Sequence, residues 1–504
     1  MDKRKWLFLL LIIIFVYLLV LQIAAIWPFT IDDMYISLRY AKHWANGQGL
    51  LWNIGQSPVE GYSNFSFVVL AALAIKVGLN PVFVLKFIGW IGLLLTTYGV
   101  YLLSRFWFIP SLALLPCVGM LLYSGQIIWA VSGLETTTYQ ALICLSLFIL
   151  LKASGYQAYP KPRGESNQLG FAAAGILLAL ASFTRPEGPF LTILFYGIAW
   201  FDRPRNSKIY TKGLLLGILS FGLLYSPYFL WRLYYYGRLF PNPVYCKGLM
   251  DSYFGQLDNN YLHFVWPFLL LTIPAIWQAT DKRHYYFWLP SIIYLLLLIS
   301  ADPVVAFANR LFLPAFILLL PLSLKGLGTL LSKYLNNKEQ SDYYQFILII
   351  LASWVGFLFI PMMSLPNLRY FAKAPQGGQL LREKVSLWLD KNISAPNQVL
   401  LADSGLIPYR SSLTFIDSYC LNNREMTQKP DKNMYWQQCI KTFQQKPKVI
   451  ILTSLVEKGR VIYTPVDACL SNRLKTNKDY VYQTTLQTTD KDLRYRYEIY
   501  TALD

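Results

Sequence analysis

Apolar and polar stretches alternate along this chain on a scale of about twenty residues, the length of a membrane span rather than of a core helix. Trp6 to Trp27 is the first such run. Val82–Leu103, Ile109–Ser124, Thr138–Leu151, Leu169–Phe183, Phe190–Phe201, Gly213–Leu230, Phe264–Ala279, Tyr285–Ser300, Leu311–Leu324 and Phe346–Met362 follow. Several are shorter than an upright span requires, which tilt or central packing accommodates. Phe65 to Val77 is apolar too, but at about a dozen residues it reads as an interfacial helix.

Charge decides whether that segment crosses. If it does not, Lys3 to Lys5, Arg105, Lys152, Lys161, Arg163, Arg203, Arg205, Lys208, Lys212, Lys282, Arg283, Lys325, Lys333 and Lys338 collect on one face, the positive-inside pattern. If it does, they scatter. The expectation is therefore an α-helical polytopic membrane protein of about eleven spans. Its N-terminus is cytoplasmic on a retained signal anchor, because no small-residue cleavage site follows Trp27. The same parity puts the opening polar stretch "PFTIDDMYISLRY", then "SGLETTTY", "TRPEG", Trp231 to Leu262, "SADPVVAFANR" and everything beyond Met363 on the outer face.

Beyond Met363 the periodicity changes. Leu380–Asp390 has helical spacing, Val399–Ala402 and Val449–Thr453 read as buried strands, and Tyr480–Thr485 and Arg494–Tyr500 alternate like strands. This predicts a transmembrane domain over residues 1–363 and a soluble α/β domain over 364–504, a normal size for one unit. No internal repeat appears, which argues against an inverted-repeat transporter.

Composition agrees with the pattern. The 504 residues are 55% hydrophobic and 16% aromatic, with a mean hydropathy of +0.37, too apolar for a soluble protein of several domains. A net charge of +18 suits a nucleic-acid binder in a soluble chain, but here the cations fall in short loops between spans and form no basic stripe interleaved with aromatics. No nucleic-acid partner is expected. Of six cysteines, Cys117 and Cys144 lie in apolar runs, and no metal-ligand spacing links the rest. In an oxidising compartment a disulfide among Cys420, Cys439 and Cys469 is available.

The polar residues out of place are the candidates for chemistry. Asp32 and Asp33 stand together at the mouth of the first span, where carboxylates are expensive without water or substrate to receive them. Thr30 and Asp33 fit a helix capping box, with Thr30 as N-cap of an amphipathic helix to about Trp44. That accounts for Asp33 and leaves Asp32, which suits a general base acting on a sugar hydroxyl. Glu135, and the Arg185 and Glu187 pair, flank spans on the same face, the latter also readable as a local ion pair. Arg232, Lys247 and Arg310 add cations that match a phosphate, or snorkel to lipid headgroups. Tyr35 and Tyr62 are aromatics able to stack on sugars, as interface belts also are. The histidines, His43, His263 and His284, are scattered, so a His-based metal site is not expected, whereas a divalent cation such as Mg or Mn on Asp32 or Asp33 with Glu135 has oxygen ligands to use.

Six blocks in order, "DDMYISLRYAKHWANGQGLLWNIGQSPVEGYSN", "SGLETTTYQAL", "FTRPEG", "WRLYYYGRLFPNPVYCK", "NRLFLPAF" and "ADSGLIPY" with "IDSYCLNN", resemble the bacterial arabinofuranosyltransferase-like GT-C glycosyltransferases. The resemblance spans nearly the whole chain. It implies a GT-C fold with interfacial helices in the first outer loop, and inverting transfer of a sugar, arabinofuranose or another pentose or hexose. The donor is polyprenyl-phosphate-linked and the acceptor a cell-surface glycan or lipid, lipopolysaccharide included. It implies a catalytic aspartate at the outer end of the first span, which Asp32 and Asp33 match; beside it, the residues themselves offer Arg185, Arg232, Lys247 and Arg310 for the donor phosphate and Tyr35, Glu60, Tyr62, Glu135, Glu187, Asp403 and Tyr409 for the substrates. It also implies a bacterial inner-membrane location with the C-terminal domain in the periplasm. Asp417, near a predicted strand end, is a further acceptor contact or a turn residue. A transporter or flippase of a lipid-linked saccharide is the alternative, and predicts charges on both faces or at midplane.

Overall fold

The structure, a computed structural model, describes residues 3–204, 207–248, 259–297, 307–334, 365–428, 433–457, 459–489 and 493–503. The chain divides into two compact units, Met1–Trp27 with Lys86–Leu230 and Phe254–Tyr370, and Pro28–Leu85 with Trp231–Tyr253 and Phe371–Asp504. A cut between residues 363 and 364 assigns residues 28–85 and 231–253 to the membrane part; by packing they belong with the C-terminal part.

The first unit is helical. The helices Lys3–Ile26, Thr136–Ala153, Gln168–Thr184, Gly188–Asp202, Asn259–Trp277, Tyr285–Leu297 and Leu313–Tyr334 coincide with expected apolar runs, as do most of Pro81–Ser104 and Lys208–Tyr236. Among the described residues four helices are long and apolar enough to cross a membrane. A bent pair, Leu112–Leu121 with Ser124–Val131, makes up to five. The expected span Ile109–Ser124 is thus a break, with a bend of 68° at an extended Tyr123, and the apolar run continues to Val131. The last expected span, Phe346–Met362, lies outside the described residues.

Without a hydrophobic drive between helices in lipid, close backbone approach is what packs them. On the Pro81–Ser104 helix, a Cβ at Gly92 would meet Thr138 N at 2.6 Å, and one at Gly99 would meet Cys144 Cβ at 2.6 Å. The two glycines are one heptad apart and make a seam for the Thr136–Ala153 helix. Thr96 crosses it, its Oγ1 donating to the Thr137 carbonyl at 2.9 Å.

The second unit is built around a mixed sheet. Its strands are β1 (Gln398–Leu401), β2 (Thr414–Asp417), β3 (Val449–Glu457), β4 (Arg460–Tyr463), β5 (Tyr480–Gln487) and β6 (Leu493–Ala502), in the order β2-β1-β3-β6-β5, with β4 paired to β3. β2, β1 and β3 are parallel, and β3 pairs antiparallel with β6 along its whole length. β3 begins "VIIL", fully buried, as a strand covered on both faces must be. The chain leaves β1 for β2 on one side and returns to β3 on the other. In such sheets the carboxyl ends at that reversal form a crevice where ligands bind.

Onto this domain packs the opening stretch, as the helix Asp33–Ala45. The Thr30 capping box does not form. Asp32 stands at the N-cap in helical conformation without a side-chain cap, and Thr30 Oγ1 donates instead to Gln379 Oε1 at 2.8 Å. Tertiary partners outcompete the local cap. Arg39 fastens the helix: Nε donates to the Trp52 carbonyl at 2.7 Å, Nη2 to that of Leu413 at 3.1 Å, and Nη1 to that of Pro408. Its guanidinium lies between the Trp52 and Phe415 rings, at 4.9 and 5.2 Å. Phe65–Lys76 is a helix of 12 residues. At about 1.5 Å per residue it is too short for a hydrocarbon core of about 30 Å.

Two disulfides close the unit. Cys439–Cys469 joins the helices Met434–Gln445 and Pro465–Leu474, and Cys246–Cys420 joins the 231–253 segment to the loop after β2. Cys420 therefore pairs outside the expected trio, because Asn242 draws the two segments together, its Nδ2 donating to the carbonyls of Cys420 and Leu421 at 2.9 and 3.0 Å.

Candidate active site

The sequence-selected residues fall into three clusters, one in the first unit and two in the second. In the first unit Glu135, fully buried just before the Thr136–Ala153 helix, takes Arg185 Nη1 at 2.8 Å and Arg310 Nη2 at 2.9 Å on the same oxygen. Arg185 also clasps Glu187 in a bidentate pair at 3.0 and 2.7 Å. The local ion pair read from "TRPEG" exists, and Glu135 joins it from another loop. Arg310 follows Ala308 and Asn309, both left-handed at φ of 46° and 55°. An alanine there is strained by about 1–2 kcal/mol, of the kind that collects where a side chain must be aimed. Asn309 holds the turn by donating to Tyr123 Oη at 2.6 Å, and the guanidinium sits 5.0 Å from the Trp129 ring.

In the second unit Glu60 and Arg232 consume one another. Arg232 Nε donates to Oε1 at 2.8 Å, and its Nη2 lies 2.7 Å from Oε2. Burial pushes the Glu60 carboxyl up to about 7, against the pull of Arg232. The pair ties the opening loop to the 231–253 segment. Tyr62 is buried beside it, its hydroxyl 2.9 Å from that of Tyr236. The side chain of Lys247 lies outside the described residues.

The third cluster centres on Asp32, at the carboxyl end of β1. Asp32 Oδ1 accepts from the Leu406 amide at 3.0 Å and lies 3.2 Å from Arg382 Nε. The same Nε donates to Asp403 Oδ2 at 2.9 Å, and that oxygen also accepts from the Tyr497 hydroxyl. Oδ2 of Asp32 accepts no hydrogen bond among the described residues. It faces Gly405, where a Cβ would fall 2.2 Å away. The glycine lets the backbone come this close. Burial pushes the Asp32 carboxyl up to about 6; Arg382 opposes this, Asp403 and Asp33 add to it, and the Leu406 amide opposes.

Asp403, expected to touch substrate, is thus a partner of Arg382. Tyr35 is buried with its ring 5.6 Å from that of Tyr409, and Lys42 donates to the Tyr409 carbonyl at 3.2 Å. Asp417 is the turn residue after β2, its carboxylate accepting from the amides of Tyr419 and Asn422 at 2.7 and 2.8 Å.

Arg382, Tyr497 and the Leu406 amide carry no local signal: "LREK" reads as a solvated helix face, and Arg382 lies 350 positions from its partner. Nor do the carboxylates suit a cation. Asp32 Oδ1 faces an amide and a guanidinium, and Glu135 faces two guanidinia, which are donors and positive charges where a metal needs neighbouring acceptors. Among the described residues no group of three or more His, Cys, Asp or Glu could hold a metal ion.

Residues 368–500 match a family model described as a domain of unknown function (DUF8728). No curated protein matches the sequence. Solved structures do match in fold. The crystal structure of ArnT from Cupriavidus metallidurans bound to undecaprenyl phosphate aligns with a TM-score of 0.58 at 13% identity, covering 99% of this chain and 98% of that one. The apo state of the same protein aligns at 0.56 and 13% identity, covering 97% of each chain. The cryo-EM structure of the arabinofuranosyltransferase AftD from Mycobacteria aligns at 0.52 and 13% identity, covering 100% of this chain and 40% of that one. At such identities the likeness is one of fold.

Proposed function

We propose that this protein is a membrane glycosyltransferase that moves a sugar from a polyprenyl-phosphate donor to a hydroxyl of a cell-surface glycan or lipid, with Asp32 as general base. The observation that carries this reading is the half-satisfied carboxylate of Asp32, one oxygen held by Arg382 and the Leu406 amide, the other turned to a glycine. A base working near neutral pH needs a proton affinity close to that of its surroundings, and burial supplies it here. Undecaprenyl phosphate bound to ArnT, which shares the fold, supports a prenyl-phosphate donor.

In this reading the acceptor oxygen forms the new bond to the sugar's anomeric carbon while its proton passes to Asp32. The bond from that carbon to the phosphate oxygen breaks, and the prenyl phosphate leaves with the electron pair, inverting the centre. Asp32 then returns the proton to water. In the first unit Arg185, spent on two glutamates, holds Glu135, the partner of Arg310. Asp33 begins the helix Asp33–Ala45.

The protein sits in a bacterial inner membrane with the second unit on the outer, periplasmic side. Its two disulfides support that, since such bonds persist in oxidising compartments. The sugar is arabinofuranose or another pentose or hexose. Mass spectrometry of surface glycans and lipids from cells with and without the gene tests the proposal: one sugar lost from an outer-surface acceptor supports it. An unchanged surface with lipid-linked saccharide accumulating on the cytoplasmic side overturns it in favour of a flippase.

A further inference from the structure

Asp32 is held almost wholly by residues more than 340 positions away, all from the C-terminal domain whose family has no described function. Arg382 comes from the helix Leu365–Asn392, Asp403 and Gly405 from the turn after β1, and Tyr497 from β6. The arrangement is directional. Tyr497 holds Asp403, Asp403 takes the same Nε of the guanidinium that faces Asp32, that Nε and the Leu406 amide both meet Oδ1, and Oδ2 accepts no hydrogen bond among the described residues.

We infer that Arg382 is the positioning residue of this base: anchored by Asp403, which Tyr497 holds in turn, it fixes Oδ1 of Asp32, so that Oδ2 is the oxygen that takes the acceptor proton. The inference rests on the reading of Asp32 above. It gives the domain over residues 368–500 a part in the chemistry, beyond holding an acceptor. Arg382 also sets when the base is available. An opposite charge this close lowers a carboxyl's proton affinity, and a second carboxylate raises it. The charged and titratable groups facing Asp32 are Arg382, Asp403, Tyr495 and Tyr497 across from it, with Asp33 and Tyr35 on its own helix. One cation is set against two acids besides Asp32 itself.

The test reads protonation without any donor. The full-length protein in detergent is labelled with a water-soluble carbodiimide and an amine across pH 4–9, and modification of Asp32 is followed by mass spectrometry, because only the protonated carboxyl reacts. Wild type should be half-protected near pH 6. Arg382→Met should move that midpoint up by about 1–3 units, Arg382→Lys should restore most of it, and Asp403→Asn should move it down. A purely structural role gives no opposed shifts, so unmoved midpoints, or midpoints that move together, overturn the inference. Should Arg382→Met fail to fold, Arg382→Lys and Asp403→Asn carry the comparison. Opposed shifts in a protein whose Asp32→Asn variant still restores the surface sugar leave the positioning intact and remove the glycosyltransferase role of Asp32.

Discussion

Glu135 and Asp32 are both carboxylates met by arginine, one in each unit, and the charges around them add up differently. Glu135 and Glu187 face Arg185 and Arg310, two against two, inside a helical unit. Asp32 and Asp403 share a single guanidinium, that of Arg382. The balanced set is suited to hold loops together. The unbalanced set keeps one negative charge too many in a buried place, and binding a proton relieves it. That difference fits Asp32 as a group able to exchange a proton near neutral pH.

The strongest way to break the comparison is to unbalance the first cluster. Glu135→Ala leaves two buried guanidinia without their shared partner, and should destabilise the first unit by about 3–5 kcal/mol, read as loss of folded protein in detergent melts. A melt unchanged from wild type would mean the cluster is solvated. Next is Cys246→Ser, which opens the disulfide to Cys420 and should lower the second unit's stability by about 2–4 kcal/mol. Mass spectrometry after alkylation without reductant should find Cys246 and Cys420 unmodified in wild type, and modification of both would contradict the pairing.

The pH dependence sharpens the contrast. The folded Asp32 carboxyl is raised from 3.8 to about 6, so the stability it contributes is full below about pH 4 and is lost as pH rises through about 6. The base form, and with it transfer, grows over the same interval. Melting temperatures measured from pH 4 to 7 should therefore fall more steeply in wild type than in Asp32→Asn. Parallel curves would place the titration elsewhere. The smallest effect expected is that of Tyr409→Phe. The ring packs tilted against that of Tyr35 and the carbonyl, not the hydroxyl, receives Lys42, so stability should change by no more than about 0.5 kcal/mol. A loss of transfer above tenfold would show that the hydroxyl meets substrate.

Apolar runs were enough to read most of the first unit's described helices from the chain, because a span must satisfy its backbone internally and leaves a long signal, though the run at Ile109–Ser124 breaks at Tyr123. β1, β3, β5 and β6 were legible for a related reason, being continuous apolar or alternating runs. β2 and β4 were not: four residues each, they exist through pairing to β1 and β3. The odd polar residues were also legible as odd, since an ionisable group among spans stands out. Their partners were not. Glu60 reads like a substrate contact until Arg232, 172 positions on, closes on it, and Thr30 reads like a cap until Gln379 arrives. Periodicity reports which face is buried, whereas pairing of charges across hundreds of residues is decided by tertiary packing.

The most direct test of the base is made in cells lacking the gene, complemented with wild type or Asp32→Asn at equal levels of folded protein, with the surface glycans and lipids compared by mass spectrometry. Wild type should restore the missing sugar, and Asp32→Asn should restore less than about one part in a hundred, the loss expected when a general base is removed. Full restoration by Asp32→Asn would contradict the account.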